Sequence, residues 1–162
     1  MENEQNDLYV LLLSKSEDYC ALAERCESSV RIKLFEWGAD SLMSDRIVTH
    51  LVATGFIDEK RYAIAFSRSK ARFQRWGRRK IINHLKQKGI PDDVVRYAIE
   101  ELDCEEYDSA LLSLACRKWQ LLAAFEKRKR WEKVVSYLMS RGYDASEVYG
   151  VVKKVMEAES EG

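Results

Sequence analysis

A single proline and seven glycines in 162 residues leave few of the turns that a protein of many short strands requires. With 46% apolar residues the chain has enough material for a packed core, so general disorder is excluded and helix is the favoured element. Long hydrophobic runs are absent too. The apolar stretch Leu8 to Leu13 follows an acidic N-terminus and is far too short to span a bilayer or resemble an export signal. The cysteines, Cys20, Cys26, Cys104 and Cys116, include no C-x-x-C pair, and only His50 and His84 could complete a metal site. They read as reduced, mostly buried thiols, which predicts a cytoplasmic protein with no disulfide, metal, cofactor or membrane partner. Phosphate-cradling, nucleophile-elbow and zinc-protease motifs (G-x-x-x-x-G-K-S/T, G-x-S-x-G, H-E-x-x-H) are missing, and the acidic pairs Asp92-Asp93 and Glu100-Glu101 fall at helix starts or on polar faces. Neither an enzyme nor a small-molecule substrate is expected.

Charge is absent only in the total. Residues 1–59 carry 5 basic and 12 acidic side chains (net −7), residues 60–91 carry 11 basic and no acidic ones (net +11), and residues 92–116 carry 1 and 8 (net −7). Residues 117–142 then carry 8 against 2 (net +6) and residues 143–162 carry 2 against 5 (net −3). Potential depends on local charge, so this alternation predicts two electropositive surfaces facing something anionic.

Three segments align without gaps: Arg46 to Gly55, Lys80 to Gly89 and Lys133 to Gly142. They share a base, two β-branched residues, a polar residue, a ring, Leu, three variable positions and Gly. A large apolar residue follows each Gly: Phe56, Ile90 and Tyr143. Helices commonly end on a left-handed Gly, with an apolar residue after it packing back on the residue four before it. That residue is Leu51, Leu85 and Leu138 in turn, which predicts three helix stops of one kind. Asp58 is then a candidate N-cap, Pro91 suits the first helical position, and Asp144 with Glu147 suits a capping box. A further amphipathic segment precedes each pair, over roughly 28–37, 58–75 and 105–128. Such units bury their apolar faces only by stacking. The Gly spacings of 34 and 53 are unequal, and the first, although it equals a tetratricopeptide unit, lacks the proline that closes one.

The stretch Gly55-Phe56-Ile57-Asp58-Glu59-Lys60-Arg61-Tyr62-Ala63-Ile64-Ala65-Phe66, followed by Trp76-Gly77-Arg78-Arg79-Lys80-Ile81 and Leu85-Lys86-Gln87-Lys88-Gly89-Ile90, resembles the central repeat of the RecX family. Arg31 to Leu34 with Trp37-Gly38 is similar to the family's first repeat, and the third Gly turn to its last, so the likeness spans roughly residues 17–158. The resemblance implies an all-α protein of three tandem three-helix repeats stacked into an elongated, curved array. It also implies a protein that lies in the groove of a RecA filament on DNA, bridges protomers, and damps ATP hydrolysis and strand exchange. A monomer is expected. The expected divisions are an N-terminal extension (1–16) and repeats over 17–65, 66–103 and 104–158.

The candidate contacts to filament or DNA come from the basic blocks. Arg61, Arg68, Arg72 and Arg75 recur at helical spacing and are expected on one face, with Lys70, Arg78, Arg79, Lys80, Lys86 and Lys88 nearby. No acid stands at the local positions that would offset these arginines, which favours an anionic partner over a merely solvated face. Lys127, Arg128, Lys129 and Arg130 form the second cluster, which suits a helix C-terminus as well as it suits a partner. Trp37, Phe73, Trp76, Trp119 and Trp131 are expected mostly in the core, and His50 and His84 as packing residues. Two other functions fit the basic surfaces. One is a helical architectural protein that binds DNA without any recombinase, and the other is a scaffold for an acidic protein.

Overall fold

The computed structural model describes residues 1–162, the side chain of Glu2 excepted. The chain forms α1 (Glu2–Leu22), α2 (Glu27–Glu36), α3 (Ser41–Ala53), α4 (Glu59–Arg72), α5 (Arg78–Gln87), α6 (Asp92–Glu100), α7 (Cys104–Leu121), α8 (Lys127–Ser140) and α9 (Ala145–Glu161). No strand occurs among the described residues. Several helices start where side chains cap them. Asp58 accepts from the Arg61 N–H at 2.9 Å, Asp103 from Glu106 at 2.8 Å, and Asp144 and Glu147 close a full capping box. Pro91 lies one residue earlier than expected, as the N-cap of α6, its carbonyl accepting from Val95 at 2.9 Å.

The glycine stops are present. Gly55, Gly89 and Gly142 all have positive φ, between 78° and 95°. Ile90 and Tyr143 return their N–H groups to Leu85 and Leu138, at 3.1 and 3.4 Å. The first turn differs, because Ile57 rather than Phe56 bonds back to Leu51, at 3.1 Å, and buries its side chain in place of Phe56. A fourth stop precedes these three. Gly38 (φ 92°) ends α2, and Ala39 donates to the Leu34 carbonyl at 2.9 Å. The four leucines involved, Leu34, Leu51, Leu85 and Leu138, are each 0% exposed, a burial worth about 1.5–3 kcal/mol apiece.

This fourth turn corrects the repeat frame. Gly38, Gly89 and Gly142 each join the second helix of a repeat to its third, at spacings of 51 and 53, whereas Gly55 links one repeat to the next. The uneven period expected from sequence came from pairing Gly55 with the wrong partners. The units are α1–α3, α4–α6 and α7–α9. A boundary between residues 65 and 66 would cut α4, and one between 16 and 17 would cut α1, whose Leu12 and Ser16 are buried.

Two cores result. Repeat 1 closes its own around Leu12, Val30, Leu34, Ile47 and Leu51, while repeats 2 and 3 share one through Ile81, Leu85, Leu111, Trp119, Leu138 and Val152. The total accessible surface, 10080 Å², exceeds the roughly 8,300 Å² of a compact monomer of this size, as an elongated array requires. Repeats 2 and 3 meet backbone to backbone. The Gly77 N–H donates to the Arg141 carbonyl at 2.8 Å, and the Arg79 N–H to Gly142 at 3.1 Å. A Cβ on Gly77 would lie 2.1 Å from the carbonyl carbon of Gly142.

Two substitutions separate these roles of glycine. Gly89→Val, in open space at φ 78°, should cost about 1–3 kcal/mol of backbone strain, read from the unfolding midpoint. Gly77→Ala, at an ordinary φ but against backbone, should cost upwards of about 3 kcal/mol and loosen repeat 3 from repeat 2.

Candidate functional site

The central basic block occupies α4, the following loop and α5. Arg61, Arg68 and Arg72 lie on the exposed face of α4, as expected, but α4 ends at Arg72, and Arg75 sits beyond it at φ 52°. Arg75 is the one non-glycine residue with positive φ among the described residues. Its carbonyl is held by the Tyr143 hydroxyl at 3.1 Å, and burial pushes that phenol up to about 12. Arg141 donates to the neighbouring Gln74 carbonyl. Repeat 3 thus fixes the loop's geometry.

The expectation that these bases lack acids needs correction. The acids are absent from i+3 and i+4 but arrive from other segments: Arg61 pairs with Glu24 in the α1–α2 loop at 2.6 Å, Arg68 with Glu101 just after α6 at 3.8 Å and Arg72 with Glu106 of α7 at 2.9 Å. Lys86 pairs with Asp92 at 3.7 Å, and Arg78, over the Tyr107 ring, with Glu147 at 2.5 Å. Exposed pairs of this kind contribute about 0–1 kcal/mol each, so Arg68 and Arg72 remain free to exchange partners. The half-buried Arg78 is tied into the junction between repeats.

A second group has rings instead of carboxylates. The Nζ atoms of Lys70 and Lys80 lie 4.8 and 4.5 Å from the centroid of Trp76, which His84 and Phe66 flank at 4.7 and 6.2 Å. Arg79, Lys80, Asn83, Gln87 and Ser140 line a cleft of about 300 Å³ where α5 meets the α8–α9 turn. A cation over a ring buries its stem and keeps its charge outward, so this side carries the least neutralised positive potential. Lys88 contributes its carbonyl to Ser28, at 2.8 Å. Phe73 is 76% exposed, against the expectation of core, because it follows the last residue of α4 and points off the helix end.

The C-terminal cluster divides. Lys127, Arg128 and Lys129 are exposed, with Lys127 near Ser160 (3.4 Å) and Arg128 near Glu132 (3.4 Å). They open α8 rather than ending a helix, a position where the helix dipole disfavours cations. Arg130 is only 5% exposed and is removed from the candidate contacts. Its Nε donates to the Trp119 carbonyl at 2.7 Å, its guanidinium lies 4.0 Å from the Trp119 ring, and its Nη1 bonds Glu159 at 2.9 Å. Hydrogen bonds from the Trp119 indole and then Arg130 hold the Glu159 carboxyl below its ordinary value. Sequence reasoning missed Lys133, whose Nζ lies 4.8 Å from the Phe125 ring. The signal was available, since Arg46, Lys80 and Lys133 open the three aligned segments and all three lie over rings.

Fold and surface together define an all-α protein of three tandem three-helix repeats with its positive charge gathered on the second and third. The comparisons with known proteins name the family. The sequence model described as "RecX, second three-helix domain" matches residues 58–99, and "RecX, third three-helix domain" matches residues 105–152, together more than half the chain. A regulatory protein RecX from Chlorobaculum tepidum is 31% identical over 128 residues, covering 79% of this chain and 78% of its own length. One from Clostridium acetobutylicum is 29% identical and covers 93% of this chain and 72% of its own. A crystal structure of regulatory protein RecX superposes with a TM-score of 0.82 at 26% identity, over 92% of this chain and 73% of that one. RecX from Lactobacillus salivarius, at 18% identity, shares the fold with the same TM-score. This chain belongs to the RecX family of regulatory proteins.

The Arg130 assignment is testable through stability. Arg130→Ala should cost about 1–3 kcal/mol, by removing a buried guanidinium that bonds both the Trp119 carbonyl and Glu159, whereas Lys129→Ala should cost next to nothing. Because the Glu159 carboxyl titrates below its ordinary 4.5 in the folded chain, its contribution is present at neutral pH and lost as pH falls through that lowered value. The midpoint difference between the wild type and Glu159→Gln should accordingly shrink on acidification.

Proposed function

We propose that this protein binds the filament that a RecA-type recombinase forms on DNA and damps its ATP hydrolysis and strand exchange during recombination and repair. The observation that carries this reading is the face running from α4 across α5. Lys70, Arg79 and Lys80 there meet rings and carbonyls rather than carboxylates, while Arg68 and Arg72 hold weak, exposed pairs. Family membership supports a regulatory role, and the elongated array offers a long rigid edge suited to spanning neighbouring protomers. Phosphates would displace Glu101 and Glu106 from the arginines at small cost, because exposed ion pairs are weak and screened.

Two triple variants test the reading. Replacing Lys70, Arg79 and Lys80 with Ala should abolish most suppression of recombinase ATP hydrolysis, and replacing Arg68, Arg72 and Arg75 should weaken it less. Thermal unfolding checks that both remain folded. Where a side chain meets phosphate, its loss should lower the slope of log affinity against log salt by about one per contact. Full suppression by both folded variants at the wild-type concentration would show that this face is only solvated. Equal binding to bare DNA and to filament would favour the architectural DNA binder instead.

A further inference from the structure

The two junctions of the array bring together the same elements and differ in how tightly these are joined. Between repeats 2 and 3, α4 packs directly on α7 and one core runs through both repeats. Backbone meets backbone there, Gly77 donating to the Arg141 carbonyl at 2.8 Å and Arg79 to Gly142 at 3.1 Å. A Cβ on Gly142 would meet that of Lys80 at 2.4 Å. Between repeats 1 and 2 these ties are missing. The corresponding helices, α1 and α4, have no comparable packing, and among the described residues no backbone-to-backbone hydrogen bond joins repeat 1 to repeat 2. Gly89, which stands in its turn where Gly142 stands in the next, has nothing within 4 Å of the place a Cβ would take. Repeat 1 closes a core of its own, and its one side chain in the core of repeats 2 and 3 is Cys26, 0% exposed and directly before α2.

Side chains hold the first junction instead. Cys26 gives α2 no side-chain cap, and the first N–H of that helix, from Glu27, donates to the Glu59 carboxylate of α4 at 2.9 Å. In return, Ser28 Oγ donates to the Lys88 carbonyl at the C-terminal end of α5, at 2.8 Å. Each helix end thus finds in the other repeat a partner that its own segment lacks. Arg61 adds an ion pair to Glu24 at 2.6 Å and a bond to the Gly55 carbonyl at 2.9 Å. Single hydrogen bonds and exposed ion pairs contribute little net free energy where water can replace them. The covalent link between the repeats, residues 54–58, contains Gly55 at φ 80° in open space.

We propose that this junction is a hinge, on which repeat 1 turns as one body about Cys26 and the Gly55 link, against a rigid unit made of repeats 2 and 3. Bodies joined through a small polar interface move relative to one another, and a few loop residues absorb the change in dihedral angles. Rigidity along the array therefore resides in repeats 2 and 3, which carry the basic edge. The first repeat is free to adjust its angle to the surface along which the array lies. That role rests on the proposed function, whereas the hinge is a property of the chain alone.

Two distances measured by pulsed electron paramagnetic resonance, on the full chain without DNA or recombinase, test it. In a chain carrying Cys104→Ser and Cys116→Ser, spin labels on Thr49→Cys and Arg96→Cys span the first junction, and labels on Arg96→Cys and Lys154→Cys span the second. All three labelled positions are exposed and lie on the third helix of their repeats. The distance across the first junction should be broadly distributed and that across the second narrow. Adding Ser28→Ala and Glu59→Ala, which cut the reciprocal caps, should broaden the first further and leave the second unchanged, with circular dichroism checking that the helices persist. A first distribution as narrow as the second overturns the hinge. So do paired substitutions that broaden both distances or neither.

Discussion

Two glycines meeting backbone to backbone hold the basic half of this molecule in shape. Gly77 and Gly142 approach so closely that neither tolerates a Cβ: one on Gly142 would lie 2.4 Å from that of Lys80. Bringing the loop after α4 into the turn after α8 exposes the Arg141 and Gly142 carbonyls to the first N–H groups of α5, which otherwise have no partner within the helix. The Arg75 carbonyl, the Trp76 ring and the Arg79 side chain take their positions from that contact. The surface on which the functional reading depends is therefore a product of repeat 3 as much as of repeat 2.

What the sequence revealed and what it concealed follow from the range of each interaction. The leucine four before a glycine, the Asp caps and the Asp144-Glu147 box act within six residues, and each was readable from its own segment. The repeat frame was not, because Gly55 closes its helix with the same local chemistry as Gly89, and only packing distinguishes a turn within a repeat from one between repeats. Arg130 was misassigned for a similar reason. Its partner Glu159 lies 29 residues away, and a run of four bases gives no sign that the fourth turns inward. The helical face expected to run from Arg61 to Arg75 failed at its last member, since nothing local in Arg72-Phe73-Gln74 marks where α4 stops.

The alternation of charge along the chain has a spatial counterpart that the linear pattern hides. The acidic block at residues 92–116 folds onto α6 and α7, and α4 packs against both. Its Glu101 and Glu106 therefore neutralise Arg68 and Arg72 although no acid lies within the basic block itself. Segregation in sequence becomes partial compensation in space. The excess that survives is displaced toward the start of α5 and the repeat 2–3 cleft, where Lys70 and Lys80 have rings rather than carboxylates for company.

That displacement explains why rings and cations are interleaved on this surface. A lysine paired with a carboxylate offers an incoming anion little net field, whereas one resting on Trp76 is ordered by the ring and keeps its full charge. His84 and Phe66 pack the other sides of the indole, which is itself only 9% exposed, so the ring serves as a buried platform for Lys70 and Lys80 rather than as a stacking surface for bases. The same device recurs at lower density on repeat 3, with Lys118 over Tyr137 at 4.4 Å and Lys133 over Phe125 at 4.8 Å. Both repeats thus present cations whose positions are fixed by packing and whose charges are left unspent. An anionic partner with a regular spacing of contacts is the kind of surface that such a rigid, repeated arrangement matches.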